Sequence, residues 1–262
     1  MTYARAIDIS NYTGAPIAEQ FRTARIDGNY RRVIVGTQDE AICRGQVMAA
    51  VAAGLETEAY VYLRFDRDPA QQVEAALAVL AGLPAGRLWL DCEDDTASAL
   101  TEQETIDFIA NAYTACTLPS GIYTRRDWWE RQTGDTHDFA GLPLWNATND
   151  GAGDLSFPQP YGGWTAVAME QFAFDRDVAG FNADLNVYLV EVSDGGPVSA
   201  LPAPTETGPP PDLSHQQLEV AAALAIRGLF GARLSWLGRR DSGLVYELYI
   251  PEPLPKAVAD TL

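Results

Sequence analysis

Short apolar runs alternate with helix-spaced patterns through the first two thirds of the chain. Residues 4–9, 32–36, 58–63, 87–92 and 121–124 read as strands. Residues 43–54 carry the small-residue pattern of a packed helix ended by Gly54. Residues 69–81 open with Pro69 in the first turn, where a missing N–H costs no hydrogen bond, and predict a second helix. Residues 101–116 predict an amphipathic helix, with Thr101 and Glu104 in capping-box spacing. A βαβα alternation of this kind predicts a parallel sheet with helices outside it.

After Thr124 the spacing changes. Residues 142–147, 165–172 and 184–192 still read as strands, but between them lie only a short helix at 127–132 and loops rich in Gly and Pro. Eight strands, with full helices behind only the first few, predict an α/β fold in the form of an irregular TIM-like barrel. A standard barrel of this kind takes ~250 residues; this one closes near residue 192. Residues 201–211 (LPAPTETGPPP) hold neither helix nor central strand and read as a linker. Beyond it, 214–230 predicts a helix capped by Ser214, and 233–237 with 243–250 a hairpin turning at 239–242. The expected division is a barrel over 1–198, a Pro-rich linker over 199–212 and a small α+β module over 213–262.

Composition narrows the chemistry. The 262 residues hold 36 acidic and 18 basic side chains, a net charge of −18, with two histidines and three cysteines. Histidine-based nucleophilic catalysis would have to use His137 or His215, and Cys43, Cys92 and Cys116 form no CxxC, so metal sites are short of ligands and no cofactor is expected. A nucleic-acid partner is excluded on charge, since phosphates would be repelled rather than neutralised. No apolar run reaches the ~18 residues of a membrane span, and the first residues do not have the pattern of a secretion signal. The expectation is synthesis in the cytoplasm without membrane insertion.

The chemistry then rests on carboxylates. Leu88 to Asp95 (LWLDCEDD) puts Asp91, Glu93 and Asp95 at alternate positions, which share one face if strand geometry continues that far. Like charges so close cannot all ionise freely, and a raised pKa is what a general acid needs near neutral pH. Alone, such a run reads more often as solvated loop acids or helix caps. Position adds to it: in α/β barrels functional groups sit at the C-terminal strand ends, where Asp91 and Glu93 fall on the fourth strand and Asp8 on the first. A cluster of acids there without basic partners is a glycosidase arrangement. Tyr12, Tyr62, Tyr123 and Trp145 lie at or near strand ends and can stack on sugar rings, whereas Trp89 and one of Trp128 and Trp129 read as core.

Six segments resemble glycoside hydrolase family 25, the Chalaropsis-type muramidases of autolysins and phage endolysins, in order and spacing. They are AIDISNY from Ala6, LDCE from Leu90, GIYT from Gly121, LPLWNA from Leu142, EQF from Glu170 and ADLN from Ala183, and the resemblance covers roughly residues 3 to 192. The resemblance implies a (β/α)5(β)3 barrel and bacterial peptidoglycan as the partner. It implies Glu93 as the general acid on the bond between N-acetylmuramic acid and N-acetylglucosamine. Asp91 would polarise the substrate acetamido group or stabilise positive charge at the anomeric carbon, and Asp8 and Asp184 would complete the acidic floor. Gln171 and Asn186 fall on matching segments as substrate-binding candidates. The chain departs from the family pattern at Gly36 to Asp39, where a lysine and a glutamate are lost, at Tyr60–Val61–Tyr62, and at Glu170, where a tryptophan is usual.

Two rivals stand beside the muramidase reading. One is a glycan-binding or virion structural protein on the same scaffold that does not cleave. The other is a chitinase, disfavoured because Trp89 occupies a position where its DxxDxDxE motif needs aspartate. The C-terminal module is expected to serve targeting, self-association or virion attachment. The enzyme is expected to reach the wall at host lysis or from a virion.

Overall fold

A computed structural model describes residues 2–190 and the backbone of two further strands, Arg233–Arg240 and Gly243–Tyr249. The chain divides into two compact units, Met1–Val192 and Ser193–Leu262. In the first, eight strands close a barrel in sequence order. They are β1 (Thr2–Ile9), β2 (Tyr30–Gly36), β3 (Glu56–Tyr62), β4 (Leu88–Asp91), β5 (Ser120–Thr124), β6 (Leu144–Ala147), β7 (Met169–Val178) and β8 (Phe181–Val190). Helices follow the first five: α1 (Ala18–Asp27), α2 (Glu40–Ala52), α3 (Pro69–Leu80), α4 (Glu102–Ala115) and α5 (Arg126–Thr133).

Local chemistry sets the helix starts. Asp39 accepts from the Ile42 N–H at 3.0 Å ahead of α2, and Asp68 accepts from the Gln71 N–H at 2.9 Å ahead of α3, whose first residue is Pro69. Thr101 Oγ1 accepts from the Glu104 N–H at 3.3 Å while Glu104 Oε2 accepts from the Thr101 N–H at 2.8 Å, closing the capping box of α4. Helix α1 has no counterpart in the sequence reading. Its buried stripe is only Phe21 and Ala24, too few to register as a period, and it is held by Phe21 packing edge-on to Phe181 at 5.3 Å.

The sheet departs from the expected all-parallel order at its end. β7 and β8 form an antiparallel hairpin turning at Ala179 and Gly180, both at positive φ, and β8 closes the barrel antiparallel to β1. The hairpin runs past the expected strand at 165–172. Its Asp175 to Asp177 stretch is exposed and carries no apolar alternation to be read.

Strand alternation divides the core. Ile7, Ile9, Val33, Val35, Leu88 and Leu90 face outward against the helices, while Ala4, Ala6, Ile34, Trp89, Tyr123 and Trp145 fill the barrel interior. Trp89 needs room that Gly121 provides: a Cβ there would lie 2.5 Å from the Trp89 ring and 2.7 Å from the Pro143 carbonyl. Trp89 Nε1 donates to buried Glu58 at 2.6 Å, and Glu58 pairs with Arg32 at 2.8 Å, so the interior tryptophan is satisfied.

In the second unit Arg233–Arg240 (β9) and Gly243–Tyr249 (β10) pair antiparallel. The expected linker at 201–211 and helix at 214–230 lie outside the described residues.

Candidate active site

The same alternation carries acids to the C-terminal mouth of the barrel. Asp8 follows Ala4 and Ala6 on the inward face of β1, and the antiparallel register sets Asp184 of β8 directly opposite it. β4 ends at Asp91, between Tyr62 of β3 and Tyr123 of β5, and Glu93 follows two residues later. Gln171 of β7 pairs with Asn186 of β8.

A single amide ties these groups together. Gln171 Nε2 donates to Asp8 Oδ2 at 2.9 Å and to Asp184 Oδ2 at 3.2 Å, and Asn186 Nδ2 donates to the same Asp8 oxygen at 2.6 Å. With both its hydrogens directed at carboxylates, Gln171 is left to accept through Oε1, and the Tyr123 hydroxyl lies 2.8 Å from it. That hydroxyl is also 3.3 Å from Glu93 Oε2. It has one hydrogen for two acceptors. Turned to Gln171, its oxygen can accept from a protonated Glu93; turned to Glu93, it stabilises the carboxylate. One rotation therefore serves both protonation states. Trp145 Nε1 donates to Asn186 Oδ1 at 2.8 Å and fixes the far end of the network.

Burial and like charge push these carboxyls upward. Asp91 is 4% exposed; desolvation, then the charges of Glu93 and Asp8, hold its pKa well above the carboxylate range. Its Oδ1 is buried with no hydrogen-bond partner among the described residues. Burial, then the charge of Asp184, pushes Asp8 up to about 7, against the pull of its hydrogen bonds from Asn186 and Gln171. Glu93 is raised by burial, with the Arg125 charge and the Tyr123 hydroxyl pulling it back. Asp184 is raised by burial, opposed by the Asp175 N–H that donates to it at 2.7 Å. Such a group of carboxyls retains protons at pH values where exposed acids have lost theirs.

Eight of the expected site residues thus meet in one network or beside it: Asp8, Asp91, Glu93, Tyr123, Trp145, Gln171, Asp184 and Asn186. The other expectations need correction or lie apart. Asp95 does not share the face of Asp91 and Glu93, because the strand ends at Asp91. Asp95 opens a 3-10 turn, 87% exposed and 3.8 Å from Arg131. Trp145 is 2% exposed among Tyr60, Trp89 and Tyr123, so it holds Asn186 and offers no ring face for stacking. Trp128 and Trp129 are both fully buried core. Tyr62 is half-buried, and burial with the nearby Asp94 raises the pKa of its hydroxyl. Tyr12 stands exposed on the turn after β1, and its ring has no aromatic or hydrogen-bond partner among the described residues. Nor are the acids without a basic neighbour, since Arg125 acts on Glu93.

Several residues at the mouth escaped the sequence reading. A cleft of about 620 Å³ beside Glu93 is lined by Arg125, Asn146, Thr148, Phe157, Tyr161 and Phe174, among others. Glu170, on the opposite face of β7 from Gln171, accepts from Asn146 Nδ2 at 3.0 Å and Thr148 Oγ1 at 2.7 Å, and burial pushes it up to about 7. Asn146 Oδ1 in turn accepts from Tyr161 at 2.7 Å. The paired arginines after β5 and the LPLWNA segment that holds Asn146 are the available signals for this wall; Tyr161 leaves none.

Fold and site together define a lysozyme-like barrel protein, with carboxylates gathered where the strands end. The family model described as Lysozyme-like protein 1 matches residues 1–172. The chain belongs to this lysozyme-like family, within the glycoside hydrolase family 25 group after which its relatives are named. Among these, "Probable GH family 25 lysozyme 3" of Dictyostelium discoideum is 28% identical over 150 residues, 53% of this chain and 31% of that protein. "Probable GH family 25 lysozyme 5" of the same organism is 27% identical over 196 residues, 70% of this chain and 89% of the relative. The alignment thus spans under a third of the first relative's length and most of the second's. The solved family GH25 lysozyme from Aspergillus fumigatus has the same fold, with a TM-score of 0.59 at 22% identity over 73% of this chain and 96% of that one.

Proposed function

We propose that this chain is a peptidoglycan hydrolase that cleaves the β-1,4 bond between N-acetylmuramic acid and N-acetylglucosamine. The observation that carries the reading is the tethering of Asp8, Asp184 and Glu93 through Gln171 and Tyr123, with the unpartnered oxygen of Asp91 beside them. Glu93, whose pKa burial raises, gives its proton to the glycosidic oxygen. Tyr123 rotates to receive the resulting carboxylate. Asp8, Asp184 and Asp91 hold fewer charges than carboxyls, and the negative charge left among them stabilises the positive charge growing at the anomeric carbon. Asp91 orients the 2-acetamido group, and either that acetamido oxygen or a carboxylate bonds to the anomeric carbon as the glycosidic oxygen leaves with Glu93's proton; water, deprotonated by the Glu93 carboxylate, then breaks that bond and restores the acid.

A site that only held glycan would have little reason to gather four carboxyls whose burial and mutual charge raise their pKa values. This favours the enzyme over the binding protein on the same scaffold. Within this reading we take the chain as a (β/α)5(β)3 lysin of phage origin, an endolysin or a virion-associated enzyme acting on the bacterial wall. To the second compact unit, Ser193–Leu262, we assign a targeting, self-association or attachment role. The test is release of reducing ends from purified peptidoglycan by wild type and Glu93→Gln. Loss of a general acid is expected to lower the rate by roughly 10²- to 10⁴-fold with the fold intact. Equal rates in the two proteins, or no release by wild type from several wall types, would overturn the proposal.

A further inference from the structure

We propose that Arg125 is a specificity-determining residue that binds a carboxylate carried on the glycan beside the scissile bond. The inference rests on the muramidase reading and adds the chemistry of the substrate that the cleft selects.

Arg125 follows β5 directly and lines the cleft together with Glu93. In a chain of net charge −18, that wall also carries Asp127, Glu130 and Asp150, with Arg126 as the other basic residue on it. The neighbouring guanidinium is committed: Arg126 donates to Glu130 at 2.6 Å and to Gln159. Arg125 is not. Among the described residues its one ion pair is Asp127 at 3.4 Å, its guanidinium donates no hydrogen bond, and its side chain is 45% exposed. A guanidinium offers five donors in a planar fork that matches a carboxylate.

The position also makes little sense for acid catalysis alone. A general acid gains from a raised pKa, yet the Arg125 charge opposes the rise in Glu93. The opposition disappears when a substrate carboxylate neutralises the guanidinium. Binding the right glycan would then let Glu93 hold its proton to higher pH, coupling recognition to the protonation state of the acid. N-acetylglucosamine has no carboxylate. A muramyl unit has one on its lactyl ether when the stem peptide is absent, and stem-peptide carboxylates when it is present.

Two substrate pairs separate these sources: stem-free glycan with its lactyl carboxylates free or methyl-esterified, and stem-bearing glycan with its peptide carboxylates free or esterified. For wild type, kcat/KM is expected to favour the free form in one pair by about tenfold, equivalent to ~1.4 kcal/mol and modest for a charge-assisted contact in a partly exposed cleft. The pair that discriminates identifies the source. Arg125→Gln is expected to bring that ratio close to one, and Arg125→Lys to retain part of it. The alkaline limb of kcat is expected at higher pH than that of kcat/KM for the free form only. A wild-type ratio near one in both pairs, or an unchanged ratio in Arg125→Gln, would overturn the role of Arg125 while leaving the muramidase reading intact. Failure of wild type to cleave any of the four would remove both.

Discussion

Replacing Asp8 with asparagine is expected to stabilise the barrel above neutral pH while lowering its activity. The substitution keeps the side-chain shape and an oxygen for the Gln171 and Asn186 amides, but it removes the charge that burial and Asp184 oppose. In the folded chain Asp8 holds its proton up to about 7, against an ordinary 3.8. Between those values the native state binds more protons than the unfolded state, so stability falls as pH rises through the window, and the contribution is whole only below it. At ~1.4 kcal/mol per pH unit, the span corresponds to ~4 kcal/mol. Weaker hydrogen bonds to a neutral acceptor return about 1 kcal/mol, leaving a gain of ~3 kcal/mol for Asp8→Asn above pH 8 and almost none near pH 4. Denaturant midpoints followed by tryptophan fluorescence at the two pH values measure this directly. A stability difference of equal size at both would refute the argument, because it would show that Asp8 is not held protonated by its surroundings.

Two other substitutions probe the support of the site. Tyr123→Phe removes the hydroxyl that pulls Glu93 downward, so the alkaline limb of kcat/KM is expected to move to higher pH as kcat falls; an unmoved limb would separate Tyr123 from the acid. Gly121→Ala forces a Cβ against the Trp89 ring and the Pro143 carbonyl and is expected to cost ~1–3 kcal/mol in denaturation, as overpacking does. A variant as stable as wild type would mean that Trp89 has space to shift.

The network could be read in part before any coordinates. Asp8, Asp91 and Glu93 follow apolar strand residues at strand ends, and in a barrel that end is the mouth. The Thr101–Glu104 cap and Pro69 at a helix start are set by neighbours within one turn, which is why residue spacing predicts them. Helix α1 was missed because two buried residues make no period. The condition for Asp95 to share the face of Asp91 and Glu93, continued strand geometry, fails because β4 ends at Asp91 and Asp95 opens a turn.

Local pattern therefore settled the element types and which acids head for the mouth, since alternation and capping depend on residues a few positions apart. The contact of Gln171 with Asp8 across 163 positions, and that of Asn186 with Asp8 across 178, came from closure of the barrel. So did the reversal of β8 that sets Asp184 against Asp8, the shared Tyr123 hydroxyl and the guanidinium of Arg125 beside Glu93. These depend on how eight strands are staggered around a common axis, a property of the closed sheet that no single segment of the chain encodes.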